Sequence, residues 1–341
     1  MAHNSKGAQI RSRVLNILAM GSTETLSASA LAAEFGVSRS YIYALLSRMV
    51  KDGVLTKTGR KYELKPFVDV AHQFPLQGLS EDIVLYAVFS QYLDGVPERA
   101  RAAFDYIFSE MLNNAIEHSG GESVKILLAI NAVEIRCAIT DDGVGIFNKI
   151  QRALNLADPR FAVFELYKGK VTTDTRNHTG EGIFFSSKIA TTFNIFSGGL
   201  LFVADPGGDY PLLSDYHSDL QGTTVAFSIR LDSSLRTQDV FDQYTDDSDN
   251  AGFSKTVVPV RVLDYRERAS FVSRSQAKRL MARFDQFKNI VLDFAGVEEI
   301  GQGFADEIFR VFVNSHPDSI IIAKNMKPAV KRMAEHVRSK R

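Results

Sequence analysis

The sequence predicts a multidomain α/β protein, and three observations support this fold class. The chain has 341 residues, more than a single ordinary domain of about 150 residues needs. Its hydrophobic fraction of 45% and its charged fraction of 23% are typical of globular proteins rather than of disordered chains. Apolar residues recur with helical spacing at the start of the chain, alternate with strand spacing in its middle, and form short strands separated by helices near its end.

The formal net charge of zero conceals a division of charge along the chain. Residues 1–65 include ten basic and four acidic residues, whereas residues 66–235 include 12 basic and 21 acidic ones. Residues 236–254 have a net charge of −4, and residues 255–341 have a net charge of +7. A basic N-terminal module can face nucleic acid, although such charge also occurs as plain solvated surface. The distribution suggests modules with different partners.

Composition and motifs exclude several classes of protein. A single cysteine, Cys137, excludes an intrachain disulfide and a zinc site built from several cysteines. No apolar run approaches the roughly 18 residues of a membrane span, and residues 1–7 lack a signal-peptide core. A cytoplasmic protein with no membrane partner is therefore expected. The P-loop motif, a complete dinucleotide fingerprint and a His-Glu-x-x-His zinc pair are all absent from the sequence.

Residues 8–65 are predicted to form three helices followed by a β-hairpin. The spacing of apolar residues predicts a first helix that ends near Met20. Ser27 and Ser38 are expected to cap the second and third helices, and Gly36 to end the second.

This order of elements resembles a winged helix-turn-helix domain, and residues 30–38 are similar to the second helix and turn of that family. The resemblance implies DNA as a partner, with the third helix in the major groove and the hairpin on the phosphates. The candidate DNA contacts are Ser38, Arg39, Ser40, Tyr41, Tyr43, Arg48, Lys57, Arg60 and Lys61. Docking of a protein instead of DNA is the alternative for this module.

Linkers are expected on both sides of the central module, which spans residues 80–235. Proline and glycine suggest the first linker over residues 66–79, and a stretch rich in Asp, Ser and Gln suggests the second over residues 236–254.

Four short motifs in the central module place chemical groups at the ends of helices and strands. Glu110 and Asn114 lie on one stripe of a helix predicted over residues 97–118. An alternating strand ends at Asp141, whose carboxylate can accept a hydrogen bond from the amino group of a base. Gly143 and Gly145 follow it and permit close approach of the backbone to a ligand. Gly180 and Gly182 open a helix whose N–H groups can bind phosphate. Gly222 and Thr223 open a further strand.

In this order, the motifs resemble the GHKL (Bergerat) ATP-binding fold shared by gyrase, histidine kinases and anti-sigma serine kinases, over residues 80–231. The resemblance implies an α+β two-layer sandwich that binds ATP and Mg²⁺. By the same resemblance, Glu110 is the general base, Asn114 coordinates Mg²⁺ and Asp141 receives the adenine amino group. Gly143 and Gly145 lie close to the nucleotide. Gly180 and Gly182 then contact the phosphates, and Thr223 forms the back of the adenine pocket.

The resemblance also implies a lid over residues 147–179, with Lys168, Lys170 or Arg176 as phosphate partners. Two departures from the family pattern are present. Ile183-Phe184-Phe185 stands where small or aliphatic residues often follow the glycines, and no helix with a phosphorylated histidine precedes Glu110.

Residues 255–341 are predicted to form a small α/β domain. Strands are expected over residues 257–263, 290–294 and 320–323, with helices between and after them. The segment resembles the STAS fold of anti-anti-sigma factors, which implies a protein partner. Gly301-Gln302-Gly303 stands where those proteins have a phosphorylated serine, so the acceptor hydroxyl is missing and the glycines are interpreted as a tight turn.

The modules together predict a cytoplasmic, ATP-dependent regulator of transcription or signalling, in which slow ATP hydrolysis switches the binding of DNA or of a partner. Two alternatives remain: a serine/threonine protein kinase of the anti-sigma type that acts on a separate partner, and a nucleotide-binding scaffold without chemistry. The sequence leaves open the DNA site, the partner and the effect of ATP, and it is compatible with a homodimer.

Overall fold

The helices and strands of the computed structural model form three groups along the chain. None of the helices in the described part of the chain has both the length and the apolar character that a membrane crossing requires. The residues that the structure describes are 2–19, 26–171, 180–204, 212–216, 221–245, 253–263 and 271–339.

The first group consists of three helices and a hairpin, as predicted. The side-chain oxygens of Ser27 and Ser38 accept hydrogen bonds from backbone N–H groups three residues later, each at 3.2 Å, which confirms both predicted caps. Gly36 ends the second helix in the left-handed region. This group has its own hydrophobic core, which includes Ile10, Ile42 and Leu46. Its elements are α1 (Ala2–Ala19), α2 (Ala28–Phe35), α3 (Arg39–Lys51), β1 (Leu55–Thr58) and β2 (Lys61–Leu64).

A strand occupies the segment for which the sequence predicts the first linker. β3 (Val68–Pro75) pairs antiparallel with β4 (Ser123–Ile130) at the edge of a seven-stranded sheet. Its residues alternate between exposed and partly buried positions, as expected of an edge strand. Proline is tolerated here because an edge strand need not donate from every N–H. The linker prediction for residues 66–79 is therefore corrected to a strand of the central sheet.

The seven-stranded sheet has the order β3-β4-β5-β9-β6-β7-β8, and all of its neighbouring strands are antiparallel. One face packs against the helices, and the ring centroids of Phe104 and Phe227 lie 6.0 Å apart between the two layers. Leu127 and Arg136 on the other face are exposed. The central group is therefore a two-layer α+β arrangement. Its other strands are β5 (Glu134–Asp141), β6 (Thr192–Ser197), β7 (Leu200–Ala204), β8 (Leu212–Asp215) and β9 (Thr223–Arg230).

The longest helix of the central group is the predicted one, with an apolar stripe that includes Phe104, Phe108 and Met111 buried against the sheet. The helix before it, Glu81–Ile83, continues as a π-helical turn over Val84–Phe89 and a 3₁₀ turn over Ser90–Leu93. The helices are α4 (Glu81–Ile83), α5 (Glu98–His118), α6 (Ile146–Ala153), α7 (Arg160–Lys168) and α8 (Gly182–Ile189).

The second predicted linker, over residues 236–254, also contains structure. Its first part forms α9 (Thr237–Tyr244), in which Val240 is buried and Phe241 packs against Phe185 with ring centroids 4.5 Å apart. Val240 and Tyr244 are four residues apart, which is a helical spacing, although the surrounding aspartates dominate the composition. The prediction of a tether is corrected for this helix, while residues 246–252 lie outside the described ones.

The C-terminal group is a three-stranded parallel sheet flanked by helices, as predicted. The first strand is shorter than predicted, because the chain continues after Pro259 as a 3₁₀ turn. Gly301 has an extended backbone before α11, and a β-carbon there would lie 2.7 Å from Val272 Cα, so the glycine permits a close approach of two backbone segments. Its elements are β10 (Lys255–Pro259), α10 (Arg274–Met281), β11 (Asn289–Asp293), α11 (Gln302–Asp306), α12 (Val313–Ser315), β12 (Ile320–Lys324) and α13 (Pro328–Arg338).

Candidate functional site

A cavity of about 280 Å³ opens between α5, the end of β5, the start of β9 and the start of α8. This volume is close to the lower end of the range for small-molecule sites. Gly143 lies beside the cavity and donates its N–H to Asp141 at 2.9 Å. The other seven residues predicted to contact nucleotide or to act in catalysis line the cavity, and they are Glu110, Asn114, Asp141, Gly145, Gly180, Gly182 and Thr223.

Asp141 is buried at the end of β5, with one carboxylate oxygen engaged. Its Oδ1 accepts hydrogen bonds from the N–H groups of Gly143 at 2.9 Å and Thr223 at 3.2 Å. Its Oδ2 accepts none from the residues that the structure describes. Burial raises the pKa of Asp141, and the two backbone hydrogen bonds oppose this shift. The free oxygen is thus a hydrogen-bond acceptor in the cavity wall.

Asp142 performs a different task. Its carboxylate is exposed and accepts hydrogen bonds from Glu122 N at 2.7 Å and from Ser123 N and Oγ at 3.0 and 2.8 Å. These hydrogen bonds, with those from Ser123 the largest, lower the pKa of Asp142. Asp142 therefore anchors the start of β4, and its neighbour Asp141 is the one that faces the cavity.

Two glycines of the site leave space that a side chain would take from its neighbours. Gly145 has a φ of +82°, and a β-carbon there would lie 2.7 Å from Ser197 Oγ. A β-carbon at Gly182 would lie 1.9 Å from Glu110 Oε2. The carboxylate of Glu110 therefore rests against the backbone at the start of α8, where helix N–H groups are available to an anion.

Acidic side chains gather at this end of the cavity. Burial is the largest cause of the raised pKa of Tyr106, and the negative charges of Glu110 and Glu181 raise it further. Glu181 lies between Gly180 and Gly182 in the sequence and lines the cavity. Its place in the cavity wall was not predicted from the sequence. Asn114 lies one turn after Glu110 on the same face of α5.

Thr223 connects three parts of the site. Its N–H donates to Asp141, and its Oγ1 accepts a hydrogen bond from Ile146 N at 2.9 Å. Ser197, at the end of β6, donates from Oγ to Gly222 O at 3.1 Å and so supports the same corner. Sequence reasoning missed Ser197, because a serine at the end of a strand carries no signal of its own.

Sequence reasoning also missed a cation in the cavity wall. Lys149 of α6 lines the cavity and donates from Nζ to His118 O at 2.6 Å. Burial lowers its pKa. Its spacing of one helical turn from Gly145 is the only sequence signal that could have indicated it.

The lysines predicted as phosphate partners in the lid lie elsewhere, and this prediction is corrected. Lys168 is buried against Glu165, with Nζ 2.7 Å from Oε1. Lys170 donates from Nζ to Gln286 O of the C-terminal group at 3.0 Å. A buried cation needs such partners, and the C-terminal group provides them. Arg176 lies outside the described residues.

The site's magnesium ligands are not a preformed cluster of side chains among its described residues. The structure contains no group of three or more His, Cys, Asp or Glu residues arranged to hold a metal ion within its described ranges. Mg²⁺ is commonly held by one or two protein ligands together with substrate phosphates and water. The side chain of Asn114 in the cavity wall fits this kind of site.

The residues predicted to contact DNA lie mainly on one helix and the hairpin. Ser38 caps α3, and Tyr41 is half-buried, close to Gly7 of α1. The exposed residues of this set are Ser38, Arg39, Ser40, Tyr43, Arg48, Lys57, Arg60 and Lys61.

Two parts of the chain match known families. Residues 100–233 match the family of histidine kinase-, DNA gyrase B- and HSP90-like ATPases. Residues 276–331 match a family described as a STAS-like domain of unknown function. No curated protein matches the chain. The chain thus contains a GHKL-type ATPase domain, which implies nucleotide binding, and a STAS-like domain after it.

Proposed function

We propose that the protein is an ATP-dependent regulator that binds Mg²⁺ and ATP in the cavity, hydrolyses ATP slowly, and thereby switches the binding of DNA or of a partner protein. One observation carries this proposal. Seven residues from α5, β5, β9 and the starts of α6 and α8 converge on one cavity, although they are up to 113 positions apart in sequence.

The adenine end of the site is assigned to Asp141. Its Oδ2 would accept a hydrogen bond from the amino group of the base, because Oδ1 is already held by two backbone N–H groups. Gly145 lies in the cavity wall with a positive φ that favours glycine, and Thr223 fixes the loop on which Gly145 lies. Gly143 belongs to the same loop.

The phosphate end is assigned to Gly180, Gly182 and the N–H groups that open α8. Asn114 would hold Mg²⁺, which offsets the charge of the phosphates when bound. Glu110 would accept a proton from water as the water oxygen bonds to the γ-phosphorus and the bond from phosphorus to the bridging oxygen breaks, which releases ADP. No arginine is among the described residues that line the cavity, so slow hydrolysis is expected.

The N-terminal helices and hairpin are proposed to be a winged helix-turn-helix domain that binds DNA. Support comes from the basic charge of residues 1–65 and from exposed Arg39 and Arg60 on α3 and the hairpin. The STAS-like domain is proposed to bind a protein partner. The functional units are then residues 8–65, residues 80–235 with β3 added to the sheet, and residues 255–341.

Release of inorganic phosphate from ATP tests the catalytic part of this proposal. We expect slow, Mg²⁺-dependent release that Glu110→Gln lowers by about 10²–10⁴-fold. Glu117→Gln, on the same helix but exposed, is the matched control and should leave the rate unchanged.

Two outcomes of the same assay would support other functions. Transfer of labelled phosphate to a protein in place of release to water would indicate a kinase. Tight ATP binding with no phosphate release above background would indicate a nucleotide-binding scaffold.

A further inference from the structure

Residues 165–171, which comprise the last turn of α7 and the three residues after it, form a wall of the cavity. Leu166 and Val171 line it, and Val171 N donates to Gly180 O at 3.1 Å. Any shift of this segment therefore changes the cavity beside the glycines.

The STAS-like domain holds this segment through Arg283. Its Nη2 donates to Lys170 O. Its Nη1 lies 3.6 Å from Glu165 Oε2, an ion pair too long for a hydrogen bond. Arg283 lies within residues 276–331, which match the STAS-like family. One guanidinium thus contacts both ends of the segment.

The same segment buries a cation against the backbone of the STAS-like domain. Lys168 is 1% exposed and donates from Nζ to Ala282 O at 2.9 Å and to Arg279 O at 3.4 Å. Thr256 Oγ1 donates to Lys168 O at 2.8 Å. A buried charge is costly when it loses its partners, so these contacts favour one position of the segment.

Two further contacts connect the STAS-like side with the glycines. Lys170 donates from Nζ to Gln286 O. Burial lowers the pKa of Lys170, and the negative charge of Glu181, which lines the cavity, opposes this shift. Phe184, two residues after Gly182, packs against Phe253 with ring centroids 4.6 Å apart. Phe185 also packs against Phe253, with ring centroids 5.1 Å apart, and Phe253 packs against Phe287 of the STAS-like domain at 5.4 Å. The two aromatic residues that depart from the family pattern thus reach the STAS-like domain through Phe253.

We propose that Arg283 is a positioning residue for the nucleotide site and that the STAS-like domain controls nucleotide affinity within the same chain. The proposal rests on the proposed function that the cavity binds ATP. Displacement of the domain, by a partner or by substitution, releases segment 165–171 and weakens nucleotide binding. By linkage, bound nucleotide strengthens the contact between the domains.

The dissociation rate of a fluorescent ATP analogue with Mg²⁺ tests this proposal. We expect Arg283→Gln to raise the rate by about fivefold or more. Arg274→Gln is the matched control, because Arg274 pairs with Asp306 at 2.7 Å inside the STAS-like domain. The control should keep the wild-type rate, and equal rates for Arg283→Gln and wild type would overturn the proposal.

Hydrogen exchange of the wild-type chain gives a second readout that does not depend on the folding of a variant. Saturating ATP analogue should slow the exchange of amides in residues 279–287, as reciprocity requires. Unchanged exchange there, with the analogue bound, would overturn the coupling and leave the proposed ATP site intact. No binding of the analogue to wild type would instead overturn the proposed function, and this inference with it.

Discussion

Asp141 and Asp142 have the same side chain and opposite surroundings. Asp141 is buried with a raised pKa, and Asp142 is exposed with a pKa lowered by its hydrogen bonds to Ser123 and Glu122. The sequence predicted that Asp141 faces the base because it ends the strand, but the task of Asp142 depends on β4 and could not be predicted. Ser197 and Lys149 were missed for the same reason, because their roles depend on which loop folds beside them.

The buried carboxylate of Asp141 should cost the unliganded protein stability. Because its folded-state pKa is raised, ionisation disfavours the folded state at neutral pH, and this cost is lost as the pH falls through that pKa. Asp141→Asn keeps the acceptor for Gly143 and Thr223 without the charge. We expect a higher thermal midpoint for the variant at pH 7 and a smaller difference from wild type in acid.

Thermal unfolding without nucleotide at several pH values measures this effect. Asp142→Asn is the control and should not be more stable than wild type at pH 7, because the pKa of Asp142 is shifted the other way. A variant Asp141→Asn that is less stable than wild type at pH 7 would contradict the account of the buried carboxylate.

Gly182→Ala should act through Glu110. The new β-carbon would overlap Glu110 Oε2 and push the carboxylate out of place, so phosphate release should fall towards the rate of Glu110→Gln. In the Glu110→Gln background, Gly182→Ala should lower the rate of phosphate release little further, because both changes impair the same function. Rates of the four proteins in this cycle measure the coupling, and independent, additive effects would show that Gly182 does not serve Glu110.

At the scale of elements, local signals predicted part of the fold. Serine caps, glycine stops and helical spacing predicted α2, α3 and α5, and short alternating or apolar runs predicted β5 and β9 of the central sheet and the three strands of the C-terminal sheet. β3 and α9 were mistaken for linkers because composition outweighed pattern. Proline and glycine mark β3 only at its ends, and the aspartates of α9 surround a short apolar face. Tertiary packing decides both elements.

The third helix and the hairpin should bind duplex DNA in a salt-dependent way. Replacing both Arg39 and Arg60 with alanine should weaken binding and lower the slope of log affinity against log salt by about one for each lost phosphate contact. Replacing both Lys331 and Arg332, two exposed cations on α13, with alanine is the charge-matched control.

Fluorescence anisotropy over a range of salt concentrations measures both affinity and slope. Wild-type binding that does not respond to salt, or equal losses in the control and in the arginine variant, would favour a protein-docking role for this module.

At the scale of the whole molecule, the described residues form two hydrophobic cores. One belongs to the N-terminal helices, and the other runs continuously through the ATPase and STAS-like domains. The sequence predicted separate modules, but it could not predict that Lys168 and Lys170 would face a neighbouring domain, because that depends on how the domains pack. The contact from Arg230 to Asn16, at 2.6 Å, is a hydrogen bond between the two cores.

The two cores should unfold in separate thermal transitions. Mg²⁺ and ATP should raise the midpoint of the transition that contains the ATPase and STAS-like domains, because ligand stabilises only the unit that binds it. The N-terminal transition should shift little. Differential scanning calorimetry measures both transitions. A chain of residues 66–341 should lack the N-terminal transition, the one that Mg²⁺ and ATP shift little. A single transition that shifts as a whole would contradict two separate units.

Calorimetric titration with ATP and Mg²⁺ tests the central claim most directly, for wild type, Asp141→Asn and the control Asp142→Asn. The account predicts that wild type and Asp142→Asn bind alike. Asp141→Asn should bind roughly tenfold to a hundredfold more weakly, because a hydrogen bond to a charged acceptor is lost. Equal affinities for Asp141→Asn and wild type, or no binding by wild type, would contradict the assignment of this cavity to ATP.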